Sequence, residues 1–158
     1  MTAGGLHDLL IASARRDGAS RAVEEATPGG ISYAELDRLS DRVRDRLIRK
    51  GVVPGDRVGL CLRKSIDSLA TIFGILKTGA AYVPTDPGAP PARDAYILTN
   101  CRVKAAVVEG RFHEALSREQ DALGHRPASL VLEDVGGGEG RTAALDREDA
   151  AVPAPATE

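Results

Sequence analysis

The stretch RVGLCL (57–62), with SIDSLATIFGILKTG (65–79), AYV (81–83) and KAAVV (104–108) after it, decides the fold. Residues 57–62 form an apolar run too short for a helix and right for a strand covered on both faces. Ser65 then stands where a helix needs an N-cap, and Ile66, Leu69, Ile72, Phe73 and Leu76 follow at helical spacing until Gly79 stops the helix. Ala81-Tyr82-Val83 reads as a strand. Pro90-Pro91 opens a helix carrying Ala95, Ile97 and Leu98, because proline is tolerated in a first turn. Residues 104–108 are a strand, Phe112, Ala115, Leu116 and Leu123 mark another helix, and Leu130-Val131-Leu132 is the last strand. Strand and helix alternating in this way predict right-handed βαβ units: an α/β fold with a parallel sheet and helices on both faces.

Upstream, Leu6, Leu9, Leu10 and Ala14 recur at helical spacing and Gly18 stops the helix. A short strand through Ala22 and Val23 and a turn at Thr27-Pro28-Gly29-Gly30 follow. Ile31 leads into the best-marked helix of the chain. Ser32 is its N-cap, and Glu35 completes a capping box in which each side chain takes a backbone N–H left free at the helix start. Ile31 and Leu36 occupy hydrophobic-staple positions, and Leu36, Leu39, Val43 and Leu47 form one apolar stripe. Asp37, Arg38, Asp41, Arg42, Arg44, Asp45 and Arg46 supply a solvated face laced with ion pairs rather than a binding patch. Gly51 ends the helix and Pro54 prevents its return.

A chain of 158 residues suits one domain and can bury roughly 70 % of its unfolded surface. With 42 % hydrophobic and 28 % charged residues the composition is that of a globular protein. A net charge of -2 argues for neither nucleic acid nor an anionic membrane as a partner. No apolar run approaches the ~18 residues of a membrane span, and the N-terminus lacks a signal-peptide pattern, so a cytoplasmic location is expected. Cys61 and Cys101 make neither a disulfide framework nor a zinc spacing and read as free thiols. Residues 1–135 are expected to form the α/β portion. Residues 136–158, rich in Gly, Ala, Pro and acidic side chains without periodicity, read as a linker or tail.

Little in the residues themselves promises chemistry. Gly136-Gly137-Gly138-Glu139-Gly140 lacks the Lys and Ser or Thr of a phosphate loop, and Arg141 stands where a dinucleotide fingerprint needs its third glycine. His7, His113 and His125 have no metal-ligand spacing, and no serine sits in a nucleophile elbow. The expectation is therefore no catalytic, cofactor-binding or metal-binding residue in this chain.

Two stretches add a resemblance. ISYAEL (31–36), continuing through the capped helix to Gly51, Val52, Pro54, Gly55 and Asp56, resembles the first core motif of adenylate-forming (AMP-binding) ligases. LKTGAAYVPTDP (76–87) is similar to the second core motif of the amino-acid-activating branch, the adenylation domains of nonribosomal peptide synthetases and their stand-alone relatives. DRVGLCLRK (56–64) and residues 90–108 resemble the family's connecting segments, so that the likeness covers roughly residues 6–132. Thr85 stands where the family usually has an aliphatic residue, and Pro90-Pro91-Ala92-Arg93 lacks the common tyrosine–proline opening.

The resemblance implies a parent enzyme that uses ATP and magnesium to turn an amino acid or small carboxylic acid into an acyl-AMP. The acyl group then passes to the phosphopantetheine thiol of a carrier protein, or to coenzyme A. It also implies that the motifs present cap, turn and pack, while the family's Ser/Thr/Gly-rich loop and later catalytic motifs lie beyond residue 158. The chain then reads as an N-terminal fragment, inactive alone, whose partner is the remainder of the adenylation domain. Two alternatives stay open. One is a non-catalytic module that binds a partner or itself. The other is an unrelated flavodoxin-like or dinucleotide-binding domain, which the broken glycine pattern weakens.

Overall fold

A computed structural model describes residues 4–25 and 29–132. The chain opens with helix α1 (Leu6–Asp17), strand β1 (Arg21–Glu24) and strand β2 (Gly30–Ser32). It continues with α2 (Tyr33–Arg49), β3 (Arg57–Cys61), α3 (Ile66–Lys77) and β4 (Ala81–Pro84). Then come α4 (Pro91–Asn100), β5 (Ala105–Glu109), α5 (Gly110–Ala122) and β6 (Ala128–Leu132). The last four strands form one parallel sheet in the order β4-β3-β5-β6. The α/β class with a parallel sheet and helices on both faces is thus observed.

The strand order places the helices. The chain steps one way from β3 to β4, then back across β3 to β5 and on to β6. Crossovers of one hand running in opposite directions leave opposite faces of the sheet. Accordingly Val58, Leu60, Ala105, Val107, Leu130 and Leu132 pack with the α2–α3 side. Cys61, Ala106 and Val108, the alternate residues, pack with Ala95, Leu98 and Leu116 of α4 and α5.

Helix α2 starts as its residues dictate. The Ser32 hydroxyl accepts from the Glu35 N–H at 3.2 Å and the Ser32 N–H donates to the Glu35 carboxylate at 2.7 Å. Those bonds, the backbone one first, hold the Glu35 carboxyl below its usual range. Leu36, Leu39, Val43 and Leu47 are all buried. At the far end Gly51 takes φ +88°, the left-handed conformation that an L side chain resists.

Four details differ from the sequence reading. Strand β2 pairs antiparallel with β1, a small hairpin beside the main sheet, where only a lead into α2 was expected. Three residues are below the usual length of a readable strand. On α3 the buried residues include Ala70, Thr71, Gly74 and Ile75, while Leu69 is exposed and Ile66, Ile72 and Phe73 are only partly covered. A helix apolar nearly all round has no unique stripe, and the small side chains win the crowded side because α2 approaches there. Arg46, assigned to the wet face of α2, is buried at 5 % exposure. Leu6 and Leu9, part of the apolar spacing that marked α1, are 56 % and 66 % exposed, and Leu10 alone of that helix is buried.

The tail assigned to residues 136–158 and the Thr27-Pro28 half of the first turn lie outside the described residues. Among the described residues, no helix is long and apolar enough to cross a membrane.

Candidate functional site

In open parallel sheets ligands favour the crevice at the carboxyl ends of the strands, where neighbouring strands send their helices to opposite faces. Here that point lies between β3, which leads to α3, and β5, which leads to α5. Glu109, the last residue of β5, occupies it at 1 % exposure. Its carboxylate accepts from the Arg63 N–H at 2.8 Å and from Arg63 Nε at 3.1 Å, with Arg111 Nε at 3.5 Å. A buried carboxylate between two half-exposed guanidiniums is a structural clamp: it ties the ends of β3 and β5 together. The sequence reading missed it. The available signal was a glutamate ending the otherwise apolar run of residues 105–108.

Beside the clamp, Cys61 donates weakly to Asp94 Oδ2 at 3.8 Å. Burial pushes the Cys61 thiol up to about 11, which keeps it protonated and unreactive near neutrality. Burial also raises the Asp94 carboxyl, and its Oδ1 has no hydrogen-bond partner. A raised folded value means that the charged form is disfavoured in the native state. Its contribution to stability is therefore present at low pH and lost as pH rises through the folded value. Asp94→Asn is expected to be more stable than the parent at about pH 8 and indistinguishable from it at low pH, read from urea midpoints. Equal midpoints at both pH values would contradict this.

The two resembling motifs meet in space. Lys77 Nζ, from the second, donates to Asp37 Oδ1 at 2.6 Å and Asp41 Oδ1 at 2.8 Å, both on α2. The Lys77 side chain is only 4 % exposed. The charge run on α2 is thus in part a docking face for α3 and not wholly solvated. At their other ends the Gly55 N–H donates to the Gly79 carbonyl at 3.0 Å, and the Ala81 N–H to the Asp56 carbonyl at 2.9 Å. Gly79 takes φ +80°, and a Cβ there would come within 2.9 Å of Pro54. Asp86 accepts from the Gly88 N–H at 2.9 Å and shapes the strand exit. Every one of these contacts caps, turns or packs.

The sequence profile of the AMP-binding enzyme family matches residues 10–157. The chain belongs to the AMP-binding enzyme family. Among curated relatives, the AMB antimetabolite synthetase AmbB of Pseudomonas aeruginosa is 40 % identical over 133 residues, covering 84 % of this chain and 10 % of that protein. Tyrocidine synthase 2 of Brevibacillus parabrevis is 33 % identical over 121 residues, covering 77 % of this chain and 3 % of that protein. The chain therefore spans a tenth or less of these synthetases. Among solved structures, the nonribosomal peptide synthetase FmoA3 in its AMPPNP-bound form superposes with a TM-score of 0.67 at 30 % identity, over 85 % of this chain and 14 % of that one. The anthranilate CoA ligase AuaEII in complex with anthranoyl-AMP gives a TM-score of 0.75 at 22 % identity over 89 % of this chain and 27 % of that one, a likeness of fold.

ATP and magnesium serve the AMP-binding family in general. Among the described residues no group of three His, Cys, Asp or Glu side chains is placed to hold a metal ion. At the carboxyl-end crevice Glu109 is ion-paired with Arg63 and Arg111. His7, His113 and His125 lie on or beside three different elements (α1, α5 and the turn before β6) and are not brought together.

Proposed function

We propose that this chain is the leading structural portion of an acid-adenylating ligase, and that it performs no adenylation by itself. The completed enzyme makes an acyl-AMP from ATP and an amino acid or small carboxylic acid. It then passes the acyl group to a thiol, on the phosphopantetheine arm of a carrier protein or on coenzyme A. The observation that carries this reading is the interlock of the two motifs. Lys77 pins α2 through Asp37 and Asp41, and Gly55 and Asp56 are bonded to Gly79 and Ala81. The motif side chains are spent on holding a scaffold, which leaves triphosphate and acid recognition to other parts of the enzyme.

The relatives support the chemistry. FmoA3 is a nonribosomal peptide synthetase by name, solved with AMPPNP, and the AuaEII structure holds anthranoyl-AMP. The remainder of the adenylation domain is the first partner on this reading, a carrier protein the second, and the cytoplasm the place where both would be met. The test is ATP–pyrophosphate exchange by the purified 158-residue chain across a panel of amino acids and aryl acids. Exchange at background level is expected, and substrate-dependent exchange above it would overturn the reading.

A second reading, a non-catalytic module that associates with a partner or with itself, is favoured by the exposure of Leu6 and Leu9 and by the uncovered outer edge of β4. Light scattering on the same sample tests the self-association form of this reading, which requires a concentration-dependent rise in mass.

A further inference from the structure

At the opposite end of the sheet, the amino ends of β3, β5 and β6 border a cleft of about 440 Å³. Its lining includes Lys50, Asp56, Arg102, Lys104, His125 and Arg126. Three of these are cations with no ion-pair partner among the described residues: Lys50, Arg102 and Lys104. Arg126 is matched by Asp121 at 3.1 Å. The one acid in the lining, Asp56, has its Oδ2 turned to the Val53 N–H at 2.9 Å.

A plainer reading gives these cations to helix ends, since α2, α4 and α5 all finish here and a helix C-terminus carries up to about half a negative charge. Two observations limit it. The final carbonyls are already bonded by backbone N–H groups: Gly51 to Ile48 and Val52 to Leu47 after α2, Arg102 to Thr99 and Val103 to Leu98 after α4, Gly124 to Asp121 and His125 to Gln120 after α5. Lys104 is not on a helix: it directly precedes β5, and its stem lies along Gly51 at the end of α2, where the Ile48 and Leu47 carbonyls are already bonded.

Two further features point to an occupant. His125 borders the cleft, and its Nδ1 has no hydrogen-bond partner among the described residues. Arg102 takes φ 51°, the one non-glycine residue of the described chain in the left-handed region. Glycine would fit that backbone without strain, so the guanidinium is kept at a conformational cost.

We propose that this cleft binds a phosphate-type oxyanion, held by Arg102, Lys104 and Lys50 and hydrogen bonded by His125. The inference is independent of the adenylation reading, because it concerns the amino end of the sheet and needs no nucleotide chemistry. The test is a titration of the 158-residue chain at low salt with inorganic phosphate, pyrophosphate or AMP, following the His125 imidazole by NMR and the heat of binding, with chloride as the control. Saturable shifts at His125 are expected. A higher affinity for AMP than for inorganic phosphate would identify an ester as the occupant, and the reverse a free anion.

Arg102→Gly separates binding from folding, because it relaxes the backbone while removing the charge. It is expected to weaken binding about tenfold with no loss of thermal stability, and Lys104→Gln to weaken it similarly. The proposal fails if the shifts track ionic strength equally for chloride, or if both variants bind as the parent does.

Discussion

Leu47→Ala is expected to cost about 3 kcal/mol of folding stability. Leu47 is at 0 % exposure, on the stripe of α2 that meets the sheet and α3. Truncation removes three carbons from contact, and the space they leave is enclosed by side chains from several elements, which cannot collapse as one. Its neighbour Ile48 is 51 % exposed, and Ile48→Ala should lie within about 1 kcal/mol of the parent. Urea denaturation of the two variants measures the difference. A cost below about 1 kcal/mol at Leu47 would mean that α2 is not anchored as described. Where Leu47→Ala fails to fold, Leu47→Met keeps the volume and should lose under about 1.5 kcal/mol.

The second large effect lies across the same interface. A Cβ at Gly74 would stand 2.7 Å from Val43 Cβ and 2.9 Å from the Ser40 carbonyl oxygen, closer than real contacts allow. Two effects oppose each other there. Replacing a helical glycine gains up to about 1 kcal/mol of propensity, while overpacking a rigid contact costs about 1–3 kcal/mol. The backbone oxygen cannot move aside without moving α2, so the cost wins. Gly74→Val, with two more carbons and a branched Cβ, is expected to lose about 3 kcal/mol. Because Val43 is the nearest side chain, Val43→Ala should recover part of that loss, with a coupling of about 1 kcal/mol or more in a double-mutant cycle. Gly74→Val as stable as the parent would refute the close approach of α2 and α3.

The two variants probe the contact on which the family motifs depend. Lys77 reaches Asp37 and Asp41 only while Gly74 lets the helices lie close, so loosening one position disturbs the lysine clamp as well. That coupling sets the distance between α2 and α3.

Local chemistry was legible from the residues alone. The Ser32–Glu35 capping box, the left-handed stop at Gly51, the Ser65 cap, the Gly79 turn and the short apolar strands each depend on a few neighbouring residues, so spacing along the chain contained the answer. The alternation of strand and helix carried the parallel sheet for the same reason. Tertiary structure alone decided the strand order, the inward face of α3, the burial of Arg46, the exposure of Leu6 and Leu9, the Glu109 clamp and the basic cleft. Each of these joins groups distant along the chain, such as Lys77 with Asp37 or Arg63 with Glu109, and such pairings exist only after helices and strands have packed. A helix apolar all round, or a charge run with acids every four residues, has several equivalent ways to face a neighbour. The neighbour, and not the pattern, selects one.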